Sequence, residues 1–273
     1  MQAPLAIIAT YNDLDIFPQI LLGLLKDGVH VHVIDNWSSD GTYETIGQIA
    51  SDWNGAVSIE RFPDSGPVQY FELRRILRRK EEIAARWPGR WITNQDSDEV
   101  RCSPWPAVSF HEGLRRVSAE GFSAIAFACV HFWPVDDSFR AGMDPETHFR
   151  FFKRDSPPIL HVKAWCQPAT RVDLVESGGH DTSFPGRSVY PEKFILKHYP
   201  IRNLEQGRRK VFVERLGRFH PDERAAGWHS HYDRFKPDRI LVWSADDLLA
   251  WGRDPVIRQD ERGTGPVLPR GRT

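Results

Sequence analysis

The sequence predicts an α/β fold in which a mainly parallel sheet is flanked by helices and followed by an irregular region. Two observations carry that expectation. Short apolar runs of strand length alternate with segments whose apolar residues recur at helical spacing. Each apolar run also ends in a polar loop, as strands do where an open sheet builds a ligand crevice at its carboxyl edge.

Leu5 to Thr10 reads as the first buried strand, ending at Tyr11-Asn12-Asp13. Ile16, Ile20, Leu21, Leu24 and Leu25 then share one face of a helix running to Lys26. Val29 to Ile34 is the second strand, broken at Asp35-Asn36. Ser38-Ser39-Asp40-Gly41-Thr42 supplies turn and helix-start residues for a helix buried through Tyr43, Ile46 and Ile49. Val57 to Arg61 is the third strand. Residues 70–86 form a charged helix with Arg74, Arg75, Arg78, Arg79 and Lys80, and with Phe71, Ile76, Leu77 and Ile83 for packing. Arg90 to Thr93 is a strand that runs out into the loop Asn94-Gln95-Asp96-Ser97-Asp98-Glu99. Val108 to Glu120 follows as helix and Ser123 to Phe132 as a largely buried strand. From Trp133 to Gly186 the chain is irregular, with Ile159 to Ala164 as a further strand. Glu192 to His198 reads as a short helix and Asn203 to Leu216 as another. Arg253 to Thr273, interrupted by prolines and glycines, reads as a loose tail.

Composition narrows the function classes. With 40% hydrophobic and 27% charged residues over 273 positions, the chain has enough apolar material for a sizeable core. Lys and Arg number 36 against 37 Asp and Glu, a formal net charge of -1 that gives no support for general nucleic-acid binding. Cys102, Cys129 and Cys166 are widely spaced and lack disulfide or zinc-ligand rhythm, which favours a reducing compartment. No stretch reaches the roughly 20 apolar residues that span a bilayer. The expected location is cytoplasmic, with peripheral contact at the inner face of a membrane as the form any membrane association would take.

The chemistry concentrates in the loops. Asp96 and Asp98, in extended or turn geometry, can point to one side, and hard cations such as Mn²⁺ or Mg²⁺ take carboxylate oxygens while keeping positions for substrate phosphates. Thr10, Tyr11, Asn12 and Asp13 leave the first strand where they can meet the residues after the second. Tyr11 can stack on a nucleobase, and Asp35 can accept hydrogen bonds from a base or ribose. Each also has a structural reading, as loop packing or helix capping. The chain has neither GxGxxG nor GxxxxGK[ST], which lowers dinucleotide dehydrogenases and P-loop kinases in rank.

These segments, AIIATYND at Ala6 to Asp13, VIDNWSSDGT at Val33 to Thr42 and NQDSDE at Asn94 to Glu99, resemble in order and spacing the nucleotide-sugar-dependent glycosyltransferases of family 2. The resemblance implies a GT-A-like fold in one domain over residues 1–250. Its nucleotide-binding part would cover about 1–132 and its acceptor-side part about 133–250, with 251–273 as a flexible tail. It also implies that Tyr11 and Asp13 help hold the nucleotide, that Asp35 contacts base or ribose, and that Asp96 and Asp98 bind the diphosphate through Mn²⁺ or Mg²⁺. Trp37 and the Asn94-Gln95 opening depart from the commoner pattern, and no QxxRW-like segment is present, so transfer of a single sugar is favoured over long-chain synthesis.

Within Lys197-His198-Tyr199-Pro200-Ile201-Arg202, His198 is placed to complete the cation site, as a carboxyl-side His does in a number of GT-A enzymes. Arg202, with Lys197 or Arg209, is placed to neutralise the leaving diphosphate; Arg202, Glu205 and Arg209 equally fit a paired helix surface. Family-2 enzymes generally invert the anomeric centre, which needs a base to take the acceptor proton. Asp136 is preferred for it, then Asp137, with Asp144 and Glu146 as further candidates beside the aromatic Phe132-Trp133-Pro134 segment. The acceptor would be a glycan, a lipid-linked sugar or another hydroxyl compound. His180-Asp181 lacks the GxSxG elbow of a hydrolase, and His220, His229 and His231 form an aromatic basic patch near Trp228 and Tyr232. A nucleotidyltransferase, a noncatalytic glycan-binding protein and an RNA-binding face at Arg74 to Lys80 are the competing readings.

Overall fold

The structure, a computed structural model, describes residues 1–154, 161–236 and 241–253. Its strands join in one sheet. β1 (Leu5–Thr10), β2 (His30–Asp35), β3 (Val57–Arg61) and β4 (Trp91–Asp96) run parallel in the order β4-β1-β2-β3. The helices α1 (Phe17–Lys26), α2 (Thr42–Asp52) and α3 (Leu73–Ala84) connect them. Side chains alternate between the two faces of a strand, and β1 shows the consequence. Ala6 and Ile8 enter a core built with Phe17, Ile20 and Leu21 of α1 and Ile46 of α2, while Leu5 and Ile7 enter a second core built with Ile76, Leu77 and Ile83 of α3. A strand buried on both faces has to be apolar throughout, which is why LAIIAT reads as one run.

The mixed half of the sheet comprises β5 (Glu99–Cys102), β6 (Ala124–Phe132), β7 (Phe151–Arg154), β8 (His161–Cys166), β9 (Phe194–His198) and β10 (Leu249–Ala250). β8 lies antiparallel to β4 and β6, β9 parallel to β6 and antiparallel to β5, and β7 antiparallel to β6. α4 (Phe110–Ala119) starts at Ser109, whose hydroxyl accepts from the Glu112 amide at 3.2 Å. The short helices α5 (Pro145–His148), α6 (Leu204–Arg208) and α7 (Pro221–Ala225) complete the set, with a π-helical stretch over Arg209–Arg215 between the last two. Among the described residues no helix is long and apolar enough to cross a membrane.

Three expectations change. Glu192 to His198 is not a helix: Phe194–His198 is a strand between β5 and β6, because pairing on both edges satisfies its backbone and buries Phe194, Ile195 and Leu196. The strand expected to end at Thr93 continues through Asn94, Gln95 and Asp96, where the first two polar side chains are buried and bonded. The region after Trp133 holds α5 and β7, and its expected strand is His161–Cys166, the start of the predicted span lying outside the described residues. Of the expected tail, residues 254–273 also lie outside them.

Part of the charged face of α3 pairs within the fold, while Arg74, Arg75 and Arg78 stay exposed. Arg79 makes two hydrogen bonds to Glu60 at 2.8 and 2.7 Å, Arg74 lies over the Trp228 ring, Arg75 over Phe62, and Lys80 is buried. Burial opposes ionisation of Glu60, but Arg79 and then His32 outweigh it and hold the carboxyl at about 2. A carboxylate depressed in the folded state adds stability above its ordinary range, and that stability fades as pH falls toward the folded value. We expect Glu60→Gln to lower stability by about 1–2 kcal/mol at neutral pH, discounted for solvent screening of a pair a quarter exposed. The difference should shrink below pH ~4 and vanish near pH 2. Urea denaturation of both proteins at pH 7 and pH 3 measures it, and an undiminished gap at pH 3 would refute the assignment.

Candidate functional site

Parallel pairing sets the first part of the site. Thr10 is level with Asp35 across β1 and β2, and Ala9 is level with Asp96 across β1 and β4. Three polar strand ends thus meet at the carboxyl edge of the sheet, where the β1 and β2 loops interlock. Asn12, in a left-handed conformation (φ 54°), receives a hydrogen bond from the Ser39 amide at 2.8 Å on Oδ1, while its own amide donates to Ser38 Oγ at 3.0 Å. Asp40 accepts from the Leu14 and Thr42 amides, so it shapes the turn and the start of α2. Asp35 is buried; one oxygen accepts from the Ser38 amide at 3.0 Å and the other has no partner. Burial pushes its carboxyl up, against the opposing pull of Ser38. An unpartnered buried acceptor is costly to leave unmade, and a ligand N–H or O–H would satisfy it. Nearby, the Arg218 guanidinium lies 3.7 Å from the centre of the Tyr11 ring and donates to Asn36 Oδ1 at 3.1 Å.

The second part centres on Arg202, which is fully buried. Its Nε and Nη2 donate to Asp15 at 2.9 and 2.7 Å, and Nη2 also donates to Asp13 at 2.8 Å. Ser97 Oγ donates to the other Asp13 oxygen at 2.5 Å. Arg202 Nη1 has no hydrogen-bond partner and lies 3.7 Å from Asp98 Oδ2. That same Asp98 oxygen accepts from Lys210 Nζ at 2.7 Å, while His198 Nε2 stands 3.4 Å from Oδ1. His198 Nδ1 in turn meets His131 Nδ1 at 3.0 Å. Burial works against ionisation of Asp13 and Asp98, but Arg202 and Lys210 prevail at Asp13, and Lys210, His198 and Arg202 at Asp98; Asp98 is held well below the usual carboxylate range. Arg215 reaches Asp13 and Asp98 electrostatically, and its Nε has no partner.

Asp96 belongs to a different charge cluster. The β4–β5 hairpin sends its half-exposed carboxylate toward the buried lysines Lys80 (3.9 Å) and Lys163 (3.7 Å). Lys163 also donates to buried Glu99 at 2.7 Å, and Arg101 pairs with Glu99 at 3.1 Å. Burial, opposed by Asp96, brings Lys80 down to about 8. Gly179, at a positive φ of 85°, lets the following loop close on this cluster, its carbonyl accepting from Asn94 Nδ2 at 2.9 Å. A Cβ there would come within 2.9 Å of Leu77.

The expected cation ligands are therefore not gathered as a set. Asp98 and His198 meet, but Asp96 pairs with other partners, and each carboxylate already faces cationic nitrogens. Among the described residues no group of three or more His, Cys, Asp and Glu is placed to hold a metal ion. As arranged, these side chains, with unpartnered buried N–H groups on Arg202 and Arg215, fit an anion better than a divalent cation.

Other expected residues have local duties. On strand β9, Lys197 faces away from His198; it donates to Glu146 and its ammonium lies 4.4 Å from the Trp251 ring centre, so it does not join Arg202. Helical spacing would have kept the two neighbours on adjoining faces; a strand's period of two separates them. Asp136 accepts from the Ser138 amide and hydroxyl, which holds it below its usual range, and Asp137 accepts from the Leu204 amide at 2.6 Å. Asp144 caps α5, and Arg209 turns to Glu214 at 3.1 Å. Trp133 packs with Trp243 against the small core of Ile201, Val211 and Leu241. His229 stacks on Phe219 and meets Glu223, which accepts from the first amides of α3. Sequence reasoning missed Asp15, Lys210, Arg215 and Arg218; the only signal was the density of basic residues from Arg208 to Arg218.

No protein-family model matches the chain, and no curated protein matches it.

Arg202 should be the most sensitive position here. Removing one partner of a buried hydrogen-bonded ion pair costs about 3–5 kcal/mol, and a lysine cannot reproduce the planar fork between Asp13 and Asp15. Arg202→Met should lower unfolding stability by about that amount and Arg202→Lys by about 2–3 kcal/mol, whereas half-exposed Asp96→Asn should cost at most about 1 kcal/mol. Urea midpoints of the three variants test the ranking.

Proposed function

We propose that the chain is a glycosyltransferase of the nucleotide-sugar-dependent type, with a GT-A-like arrangement, transferring one sugar to an acceptor hydroxyl in glycan or glycoconjugate synthesis. The observation that carries the reading is that the carboxyl edge of the parallel strands holds both a buried aspartate with an unpartnered oxygen, at the end of β2, and, anchored on Asp13 and Asp15 of the β1 loop, an arginine with an unpartnered nitrogen. The first suits a nucleoside donor group and the second a phosphate oxygen. The likeness of the AIIATYND, VIDNWSSDGT and NQDSDE segments to family-2 enzymes gives the same order of roles along the chain.

In this reading the base or ribose donates to Asp35, and Tyr11 lies beside it. The bond from the anomeric carbon to the diphosphate oxygen breaks as the acceptor oxygen bonds to that carbon from the opposite face, inverting it. The electron pair leaves with the nucleoside diphosphate, whose developing charge falls to Arg202 and its cationic neighbours. The acceptor proton needs a base. Asp136 and Asp137 are both committed to backbone donors, and neither is assigned that role.

A panel of nucleoside-diphosphate sugars with candidate hydroxyl acceptors, followed for nucleoside-diphosphate release, tests the reaction; release of pyrophosphate from a nucleoside triphosphate and a sugar phosphate would point to nucleotidyl transfer instead. Asp35→Asn removes the charged acceptor and should weaken nucleoside-diphosphate binding about 10- to 100-fold, the worth of a hydrogen bond to a charged group. Calorimetric titration measures it, and unchanged affinity would remove Asp35 from the role.

A further inference from the structure

The carboxylate that the nucleotide-sugar reading would give to a metal already has a cation. We propose that Lys210, together with Arg202, fills the place at Asp98 that a divalent ion would take, so that this site binds a diphosphate without metal. The inference rests on the function proposed above for the identity of the anion, but the site itself is read from contacts.

Three observations support it. Lys210 Nζ is bonded to Asp98 Oδ2 at 2.7 Å, with Arg202 Nη1 at 3.7 Å from the same oxygen, so a metal ion on that oxygen would be pressed against two positive groups. The remaining Asp98 oxygen has His198 as its neighbour, and Asp96, the second expected ligand, is held between Lys80 and Lys163. A cation bridging both aspartates would then sit among four cationic side chains. Finally, the unmet capacity in the cluster is of donor type: Arg202 Nη1 and Arg215 Nε are buried with no acceptor. Buried N–H groups on guanidinium side chains seek an anion.

The π-helical stretch explains how one short segment supplies two of these groups. Its i→i+5 bonding, seen in the Leu216 amide donating to the Val211 carbonyl at 3.1 Å, belongs to the segment that carries both Lys210, bonded to Asp98, and Arg215, whose charge acts on Asp13 and Asp98. Lys210 would hold Asp98 in the free protein and share its ammonium with a phosphate oxygen in the complex. Asp98 in this account is a positioning residue for Lys210 and Arg202, not a metal ligand.

The test is calorimetric titration of the full chain with pyrophosphate and with uridine, guanosine, cytidine, adenosine and thymidine diphosphates, each in chelator and in Mn²⁺. We expect pyrophosphate and at least one nucleotide to bind in chelator, with Mn²⁺ changing the affinity by less than about threefold. Lys210→Ala should lose about tenfold or more in chelator, as expected for a charged hydrogen bond, and should recover part of it in Mn²⁺, since Asp98 and His198 are then rid of the competing ammonium. Lys210→Arg, which keeps the charge if the alanine variant folds poorly, should stay within a few-fold of the parent in chelator. Binding by the parent chain that requires Mn²⁺, or a Lys210→Ala affinity unchanged in chelator, would overturn the proposal and leave the nucleotide-sugar reading standing. Pyrophosphate binding in chelator with no response to any nucleotide would do the reverse. Binding of nothing in either buffer would overturn both.

Discussion

One guanidinium ties the site together. Arg202 is reached by the chain only after β9, yet its hydrogen bonds go to Asp13 and Asp15 in the loop that follows β1, and its third nitrogen faces Asp98 in the β4–β5 hairpin. Three segments distant in sequence converge on it. Burial of an arginine is costly unless its charge and its donors are met, so the fold holds all three carboxylates near it, and its charge, with that of Lys210, helps keep Asp13 and Asp98 ionised against their burial. Tyr199 and Ile201, buried just before it, fix the approach of the backbone, and the Arg202 amide itself donates to Gln206 at 3.0 Å. Three guanidinium nitrogens and six carboxylate oxygens must be satisfied around one point or left to a ligand.

The β4–β5 hairpin decides how the acidic loop is used. An Asp-x-Asp pair suggests two carboxylates on one side, and that holds for a single extended strand. Here the strand continues through Asp96, turns at Ser97-Asp98 and resumes at Glu99. The turn separates the residues that spacing would join. Asp96 and Glu99 go to the Lys163 cluster and Asp98 to the Lys210 cluster, so one short acidic segment anchors two charge networks on either side of the hairpin.

The parallel half of the fold was legible in the sequence because its strands are buried on both faces and its helices carry clear apolar stripes. β1, α1, α2 and α3 follow from that patterning alone, as does the meeting of Thr10 and Asp35, which needs only parallel pairing in register. The mixed half was less legible. Phe194 to His198 has the composition of either a strand or one helical turn, and only pairing with β5 and β6 chooses between them. That choice also separates Lys197 from His198. Asp136, Asp137 and Asp144 look available in sequence because backbone amides are not visible there; in the fold they are the acceptors for those amides. Lys210 and Arg215 were hidden for another reason: both lie on a π-helical stretch, whose spacing no propensity announces.

The electrostatics of Asp98 can be put in numbers. A divalent ion about 4 Å from an ammonium is repelled by roughly 8 kcal/mol at an effective dielectric near 20, and its attraction to a carboxylate oxygen ligated at about 2.2 Å is roughly 15 kcal/mol, about the sum of two such repulsions. With Lys210 in place a metal would gain little from Asp98 that Lys210 and Arg202 would not take back. If the lysine swung away, the balance would reverse, since Asp98 and His198 would present an oxygen and a nitrogen to the same space. On the proposed reading, the choice of cation at this carboxylate turns on the position of the Lys210 side chain on its π-helical turn. On that reading, an incoming diphosphate would favour the arrangement with the ammonium inside, because its own charge would add to that of Asp98 and need more than one positive partner within hydrogen-bond reach.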